Sequence, residues 1–193
     1  MDNVQISLME INEIQEAVKV LSIAMLDAKL HVAVLQGNSE NERREIEKMF
    51  FELFTHLPGI VFLAKEKQTI VGVMRMKSCE GYKPVDDPKD PKDENDINWR
   101  KSVWHAEWAR HEPLNQHWHL GPIGVLPAYQ GIGIGTMLME RFSKEVDACM
   151  AEAYLETDGD KNVRFYEKFG FKVVSESEIF NVKNRYMLRA SKA

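Results

Sequence analysis

Glycine alternates with isoleucine in the stretch QGIGIGT, which places Gly131, Gly133 and Gly135 between an apolar run and a helix-like segment. Glycine has no Cβ, so an anion can approach the backbone N–H groups, and glycine also adopts positive φ angles without strain. The first N–H groups of a helix have no intrahelical partner, and the helix dipole favours negative charge there. The stretch therefore predicts an anion site whose donors are backbone amides.

The residues around these glycines separate the turn from two common nucleotide-binding loops. A GxxxxGK[ST] loop needs a lysine, and none follows Gly135. The dinucleotide fingerprint GxGxxG does not fit either, because the spacing here is GxGxG. The stretch instead matches QxxGxG at Gln130, Gly133 and Gly135, preceded by VxP at Val125 and Pro127. A nucleotide-binding enzyme is therefore the weaker interpretation.

Groups that could transfer protons lie on both sides of the turn. Glu156 ends the strand-like run EAYLET, and Asn162 and Tyr166 are four residues apart on a predicted helix, so they share a face. His117 and His119 alternate on a predicted strand and also share a face. An HxH pair can bind a metal, but no third ligand has a telling spacing, so ordinary strand histidines are expected.

The elements that would position these groups are read from periodicity and turn signals. The order predicts an α/β (α+β) domain with a mixed, mostly antiparallel central sheet flanked by helices. Strands are predicted at 4–8, 60–66, 69–77, 117–126, 152–157, 171–176 and 185–190, and helices at 9–30, 39–57, 97–111, 137–150 and 160–169. The strands at 60–66 and 69–77 form a predicted hairpin around Lys67-Gln68, and Ser39 and Glu42 have the spacing of a capping box.

Composition limits the class of protein, its partners and its cellular compartment. An apolar content of 44% and a charged content of 28% are those of a globular protein, and the formal charge of −5 gives no basic surface for nucleic acid. No apolar run is long enough for a membrane helix, and the N-terminus lacks a signal peptide pattern. Cys79 and Cys149 form no CxxC, which disfavours a disulfide scaffold or a structural zinc site. A cytoplasmic protein without nucleic-acid or membrane partners is expected, and a homodimer is compatible with the sequence.

The region 78–116 interrupts the periodic pattern. Its first part, KPVDDPKDPKDEND, is charged and rich in proline and reads as a solvated loop, and its second part is a predicted helix that carries Trp99, Trp104 and Trp108. A connection this long is often functional, but a surface helix held by its tryptophans explains it equally well. We therefore predict a single domain, 1–193, with an insertion at about 78–116.

The runs IGVLPAYQGIGIGTMLME and YLETDGDKNVRFYEKFGF together resemble the GNAT superfamily of acyl-CoA N-acyltransferases, over roughly 118–174. The stretch YLET…NVRFYEKFGF is also similar to the puromycin acetyltransferase-like branch. The resemblance implies the GNAT fold, acetyl-CoA (coenzyme A) as a co-substrate, no metal, and an amine acceptor that is a small molecule or a peptide. It implies direct attack of a primary amine in a ternary complex, without a covalent enzyme intermediate. The alternative is a non-catalytic coenzyme A-binding sensor or interaction module.

The resemblance also implies a role for each matching position. The pantetheine arm would lie along Ile123, Gly124 and Val125, with the Val125 N–H directed at the thioester carbonyl, and Asn162 would contact the cofactor. Pro122 cannot donate a strand hydrogen bond and suits a local disruption of this strand. The residues implied to hold the pyrophosphate, mainly through backbone amides, are Gln130, Gly131, Ile132, Gly133, Ile134, Gly135 and Thr136.

Each candidate for a catalytic role also has a second interpretation. Tyr166 matches the family's tyrosine that protonates the departing thiolate, and its other interpretation is a core tyrosine beside Phe165 and Phe169. Glu156 is the best single candidate for the base, although a carboxylate at a strand end can also merely orient the amine. His117 or His119 could serve instead through water. Trp104 or Trp108 is expected to border the acceptor pocket.

Overall fold

The computed structural model describes residues 4–91 and 93–192. Within them, seven strands form one sheet in the order β1-β2-β3-β4-β5-β7-β6. The strands are β1 (Val4–Leu8), β2 (Ile60–Glu66), β3 (Thr69–Cys79), β4 (His117–Val125), β5 (Ala153–Thr157), β6 (Lys172–Ile179) and β7 (Val182–Arg189), and the helices are α1 (Ile14–Met25), α2 (Lys29–Leu35), α3 (Glu40–His56), α4 (Ile97–Arg110), α5 (Ile134–Ala148) and α6 (Asp160–Glu167).

The sheet confirms the predicted mixed, mostly antiparallel architecture. Among the described strands only the β4–β5 pair is parallel, and it covers just two residue pairs, Trp118 with Ala153 and His119 with Tyr154. Beyond His119 the two strands separate, while β4 stays paired with β3 as far as Val125. A gap therefore opens in the middle of the sheet.

The bulge expected around Pro122 is present. On β3, Met74 pairs with Ile123 and Met76 pairs with Leu120, so that Gly121 and Pro122 together face one residue of β3. This is the two-against-one arrangement of a β-bulge, in which a proline removes no ladder hydrogen bond. It lies beside the gap between β4 and β5.

Helices cover both faces of the sheet. On one face α5 buries Leu138, Phe142 and Val146 against the strands, and on the other α1 and α3 bury residues such as Leu21 and Ile46. The Ser39–Glu42 capping box at the start of α3 and the hairpin between β2 and β3 are as predicted. No described helix is long and apolar enough to cross a membrane.

The predicted helix at 9–30 is wrong at its start and between Met25 and Lys29. A short 3₁₀ turn precedes α1, α1 ends at Met25, and the chain starts again as α2 at Lys29, because Ala28 is extended with a ψ of 128°. The Leu30 N–H donates to Asp158 Oδ2 at 2.7 Å, from the loop after β5. A contact between residues far apart in sequence thus sets the start of α2.

The predicted insertion lies between β3 and β4. Its charged loop, 80–96, contains no helix or strand among its described residues, and Lys92 lies outside them. The strand β3 extends two residues further than predicted, since Ser78 and Cys79 pair with Trp118 and His117. The predicted helix at 97–111 is confirmed as α4, and its Trp104 is buried.

Candidate active site

A cleft of about 1080 Å³ opens where β4 and β5 separate. It extends from the glycine turn, past the carboxyl end of β5, to the helices α1, α2 and α4. Of the candidate residues named from the sequence, the structure places on its wall Ile123, Gly124, Val125, Gln130, Gly135, Glu156, Asn162 and Tyr166. Residues spread over more than forty positions of the chain therefore share one cavity.

The glycine turn has the backbone that an anion site requires. Gly131 and Gly133 have φ angles of 76° and 92°, in the left-handed region. Gly133 is the N-cap residue of α5 and provides no side chain to occupy the free N–H groups of that helix. Gln130 Nε2 donates to the Val125 carbonyl at 2.9 Å, which ties the turn to β4. The remaining predicted residues of the turn differ in setting, since Ile132 and Thr136 are exposed and Ile134 is buried in the core.

The hydrogen-bond register of β4 directs free backbone groups into the gap. The Leu126 N–H donates to the Val71 carbonyl at 2.9 Å. Since hydrogen-bonded and non-hydrogen-bonded pairs alternate in an antiparallel ladder, the neighbouring pair of Val125 and Gly72 is not hydrogen-bonded. The N–H groups of Val125 and, two residues earlier, Ile123 thus point away from β3, towards the side that β5 has left.

Glu156 and His119 form a buried pair in the cleft wall. His119 Nε2 lies 2.8 Å from Glu156 Oε2, and the side chains are 15% and 5% exposed. Burial opposes protonation of His119, but the Glu156 carboxylate and the nearby Cys79 thiol outweigh it and raise the pKa of His119 to about 9. One oxygen of Glu156 is thereby fixed, and the carboxylate stays at the cleft.

Tyr166 both packs in the core and lines the cleft. Its ring packs 5.4 Å from that of Phe165 and 6.2 Å from that of Phe171, and the residue is 7% exposed. It also lines the cleft. Burial, together with the negative charge of Asp158, raises the pKa of Tyr166 above its usual value, so the phenol keeps its proton at physiological pH.

His117 lies apart from this pair. Its side chain is fully buried, and its Nδ1 donates to the Asn115 carbonyl at 2.8 Å. Among the described residues that line the cleft, His119 is present and His117 is not. Of the two histidines considered from the sequence, His119 is therefore the one placed beside Glu156.

Several cleft residues were not found from the sequence. His31 on α2 packs edge-on against Trp104 at 5.1 Å, and burial lowers the pKa of His31 to about 4, so it is neutral. Arg75, only 3% exposed, donates to the Pro58 carbonyl at 2.5 Å. Trp108, which was expected from the sequence to border the acceptor pocket, also lines this part of the cleft. His31 and Arg75 belong to no sequence motif, so only the fold identifies them as cleft residues. Asp158 could have been found from the sequence, because it lies two residues after Glu156.

Comparison with known proteins gives a consistent match. The profile of the acetyltransferase (GNAT) family matches residues 28–171. Among solved structures, one described as histone acetyltransferase HPA2 and related acetyltransferase, from Corynebacterium glutamicum, has a TM-score of 0.69 at 15% identity, over 99% of this chain and 98% of that one. A GNAT acetyltransferase from Brucella melitensis in complex with acetyl-CoA has a TM-score of 0.58 at 17% identity, over 100% and 91%. The PaiA N-acetyltransferase of Thermoplasma acidophilum, in complex with coenzyme A, has a TM-score of 0.61 at 14% identity, over 97% and 98%.

Proposed function

The chain belongs to the GNAT acetyltransferase family, and we propose that it transfers an acetyl group from acetyl-CoA to a primary amine by direct attack in a ternary complex. The observation that carries the proposal is the single cleft that joins the glycine turn, the open edge of β4, Glu156 and Tyr166. We also propose that the enzyme is cytoplasmic and that residues 1–193 form one domain.

The backbone around the cleft suits coenzyme A. The free N–H groups at the start of α5 are donors for the pyrophosphate, and Gly131 leaves open space around them, since a Cβ there would meet nothing within 4 Å. The N–H groups of Ile123 and Val125 are donors for an extended pantetheine arm that takes the place of a neighbouring strand. At its end, the Val125 N–H would donate to the thioester carbonyl oxygen and stabilise the negative charge that develops there.

Glu156 is the proposed base. An alkyl amine with a pKa near 10.4 is mostly protonated at pH 7, which costs roughly 4–5 kcal/mol before attack. The Glu156 carboxylate accepts that proton, directly or through water, while His119 holds its Oε2 in place. The neutral amine nitrogen then forms a bond to the carbonyl carbon.

Tyr166 is the proposed acid. As the carbon–sulfur bond breaks, the sulfur takes up the electron pair, and the Tyr166 hydroxyl donates its proton to it. The nitrogen, which became cationic on attack, gives up its second proton to the Tyr166 phenolate, directly or through water, and Glu156 releases its proton to solvent. The raised pKa of Tyr166 keeps the phenol protonated until the thiolate appears. No covalent bond to the enzyme forms, so neither cysteine takes part in the chemistry.

The acceptor side of the cleft supports an amine with an apolar or aromatic substituent. His31, Trp104 and Trp108 form an aromatic wall there, and the indole Nε1 of Trp104 is buried without a hydrogen-bond partner in the described part of the chain. Asp158 at the same wall is a carboxylate that attracts a cationic ammonium group.

The proposal is tested by incubating the protein with acetyl-CoA and following free thiol. Phenylethylamine, propylamine and a peptide with a free N-terminus serve as acceptors. We expect thiol release that depends on the amine and is faster with phenylethylamine than with propylamine. Binding of acetyl-CoA without amine-dependent thiol release would instead support the coenzyme A sensor.

The contribution of the glycine turn is tested by Gly133→Ala. An alanine in the left-handed region costs about 1–2 kcal/mol of the free energy of unfolding. Relaxation of the turn would also displace amides that bind phosphate, and the loss of one such hydrogen bond weakens coenzyme A binding about 10- to 100-fold. Calorimetric titration with coenzyme A measures the dissociation constant.

The matched control is Gly170→Ala. Gly170 has a φ of 88°, and its nearest neighbour to a built Cβ is 3.8 Å away. An alanine at this position would carry the same backbone strain, but outside the glycine turn. A similar loss of affinity in both variants would show that strain alone, rather than the position of the amides, is responsible.

A further inference from the structure

Cys79, at the end of β3, His117, at the start of β4, and Glu112, in the turn that follows α4, form a cluster. The Cys79 sulfur, a Glu112 carboxylate oxygen and a His117 ring nitrogen all lie within 4.8 Å of one another. We propose that this cluster, called here the Cys79 cluster, binds a zinc ion. The proposal does not rest on the acetyl transfer reaction, because Cys79, Glu112 and His117 do not line the cleft among its described residues.

The ligand types are those of zinc. Zn²⁺ is bound in proteins by cysteine sulfur, histidine nitrogen and carboxylate oxygen, and a thiolate favours it over the harder Mg²⁺ and Ca²⁺. Metal–ligand bonds of about 2.0–2.3 Å in a tetrahedral site put the ligand atoms roughly 3.3–3.8 Å apart. Small rotations of side chains would bring the three atoms from their present spacing to that distance.

Three separate elements supply the ligands. Cys79 and His117 are direct partners in the β3–β4 ladder, so both side chains leave the same face of the sheet. Glu112 comes from the turn after α4, where its N–H donates to the Ala109 carbonyl at 3.3 Å. An ion at this point would fasten the insertion to the sheet.

His117 has the hydrogen bonding of a metal ligand. Its Nδ1 donates to the Asn115 carbonyl at 2.8 Å, which leaves the lone pair of the neutral ring on Nε2. The side chain is 0% exposed, Nε2 has no hydrogen-bond partner in the described part of the chain, and the nearest acidic oxygen, of Glu112, is 3.5 Å away. A buried lone pair beside a carboxylate is unfavourable unless a proton or a cation lies between them.

The fourth position of a tetrahedral ion would be filled by water or by His119. Nδ1 of His119 is buried and has no hydrogen-bond partner among the described residues, while Nε2 contacts Glu156. Binding forms the Zn–S bond as the thiol loses its proton to solvent, with no change of oxidation state.

The experiment uses the full chain without an affinity tag, purified from zinc-supplemented medium without chelators. Elemental analysis by mass spectrometry is expected to find one zinc per chain. After removal of the metal, Co²⁺ is expected to restore occupancy with a near-ultraviolet sulfur-to-cobalt charge-transfer band, which reports ligation by a cysteine in the unmodified protein.

Variants identify the ligands. Cys79→Ser is expected to lose the charge-transfer band, and His117→Gln and Glu112→Gln to bind zinc at least tenfold more weakly in competition with a chromophoric chelator. The matched controls are Cys149→Ser and His56→Gln, at exposed positions, and these are expected to retain zinc and the band. Circular dichroism checks that each variant is folded.

Two results would overturn the proposal. The first is a wild-type protein that takes up neither zinc nor cobalt, which would mean that a proton on His117, paired with Glu112, occupies the cluster. The second is an unchanged stoichiometry and charge-transfer band in Cys79→Ser, which would place the metal elsewhere.

Discussion

Replacing Tyr166 with phenylalanine is expected to lower kcat for acetyl transfer by about 10²-fold, the lower end of the range for general acid catalysis. The lower end applies because a thiol with a pKa near 8.5 is already a fair leaving group. The dissociation constant of acetyl-CoA should stay the same, since the hydroxyl acts on the sulfur only as its bond breaks. Steady-state kinetics and calorimetric titration separate the two quantities.

The control for Tyr166→Phe is Tyr82→Phe, which removes a phenol from a residue that is 36% exposed and lies outside the cleft wall. Its kcat should match that of the wild type. If kcat is also unchanged in Tyr166→Phe, Tyr166 is a core tyrosine held between Phe165 and Phe171, and the departing thiolate takes its proton from water.

Replacing Glu156 with glutamine is expected to lower kcat/KM for the amine by about 10²–10³-fold at pH 7. Glutamine keeps the size of the side chain and can still accept the hydrogen bond from His119, so the change removes mainly the ability to take a proton. The deficit should narrow as the pH rises towards the amine pKa near 10, because the free amine then needs no base. A profile of kcat/KM between pH 6.5 and 9.5 measures both features.

Glu140→Gln, at an exposed position on α5, provides the matched control and should leave the profile unchanged. A deficit in Glu156→Gln that stays constant with pH would mean that the carboxylate orients the amine and does not deprotonate it. An unchanged kcat/KM at every pH would assign the proton transfer to water or to His119.

Local sequence predicted much of the fold. Apolar periodicity, the capping box at Ser39 and the turn at Lys67 each depend on neighbours within a few residues, and the structure confirms them. The prediction at 9–30 failed because an apolar stripe continues past Met25, whereas the start of α2 is set by Asp158, 128 residues away from Leu30. No pattern within 9–30 carries that information.

The candidate site also combines features that local sequence predicts with features that it does not. The glycine turn was predicted from sequence because its donors are backbone amides, and glycines at fixed spacing specify their conformation locally. The pairing of Glu156 with His119 was not predicted, since it depends on which residues of β4 and β5 lie opposite each other before the strands separate.

The sequence by itself determined a glycine turn at the start of a helix, a mixed sheet with helices on both sides, and the residues that carry the family resemblance. The tertiary structure decided which histidine faces the cleft, where α2 begins, and that Cys79 and Glu112 meet His117. Spacing along the chain indicates no third ligand for the histidine pair, because Cys79 is 38 residues away and reaches His117 only through strand register. Local conformation follows from neighbouring residues, whereas strand register and the meeting of distant side chains depend on how the whole core packs.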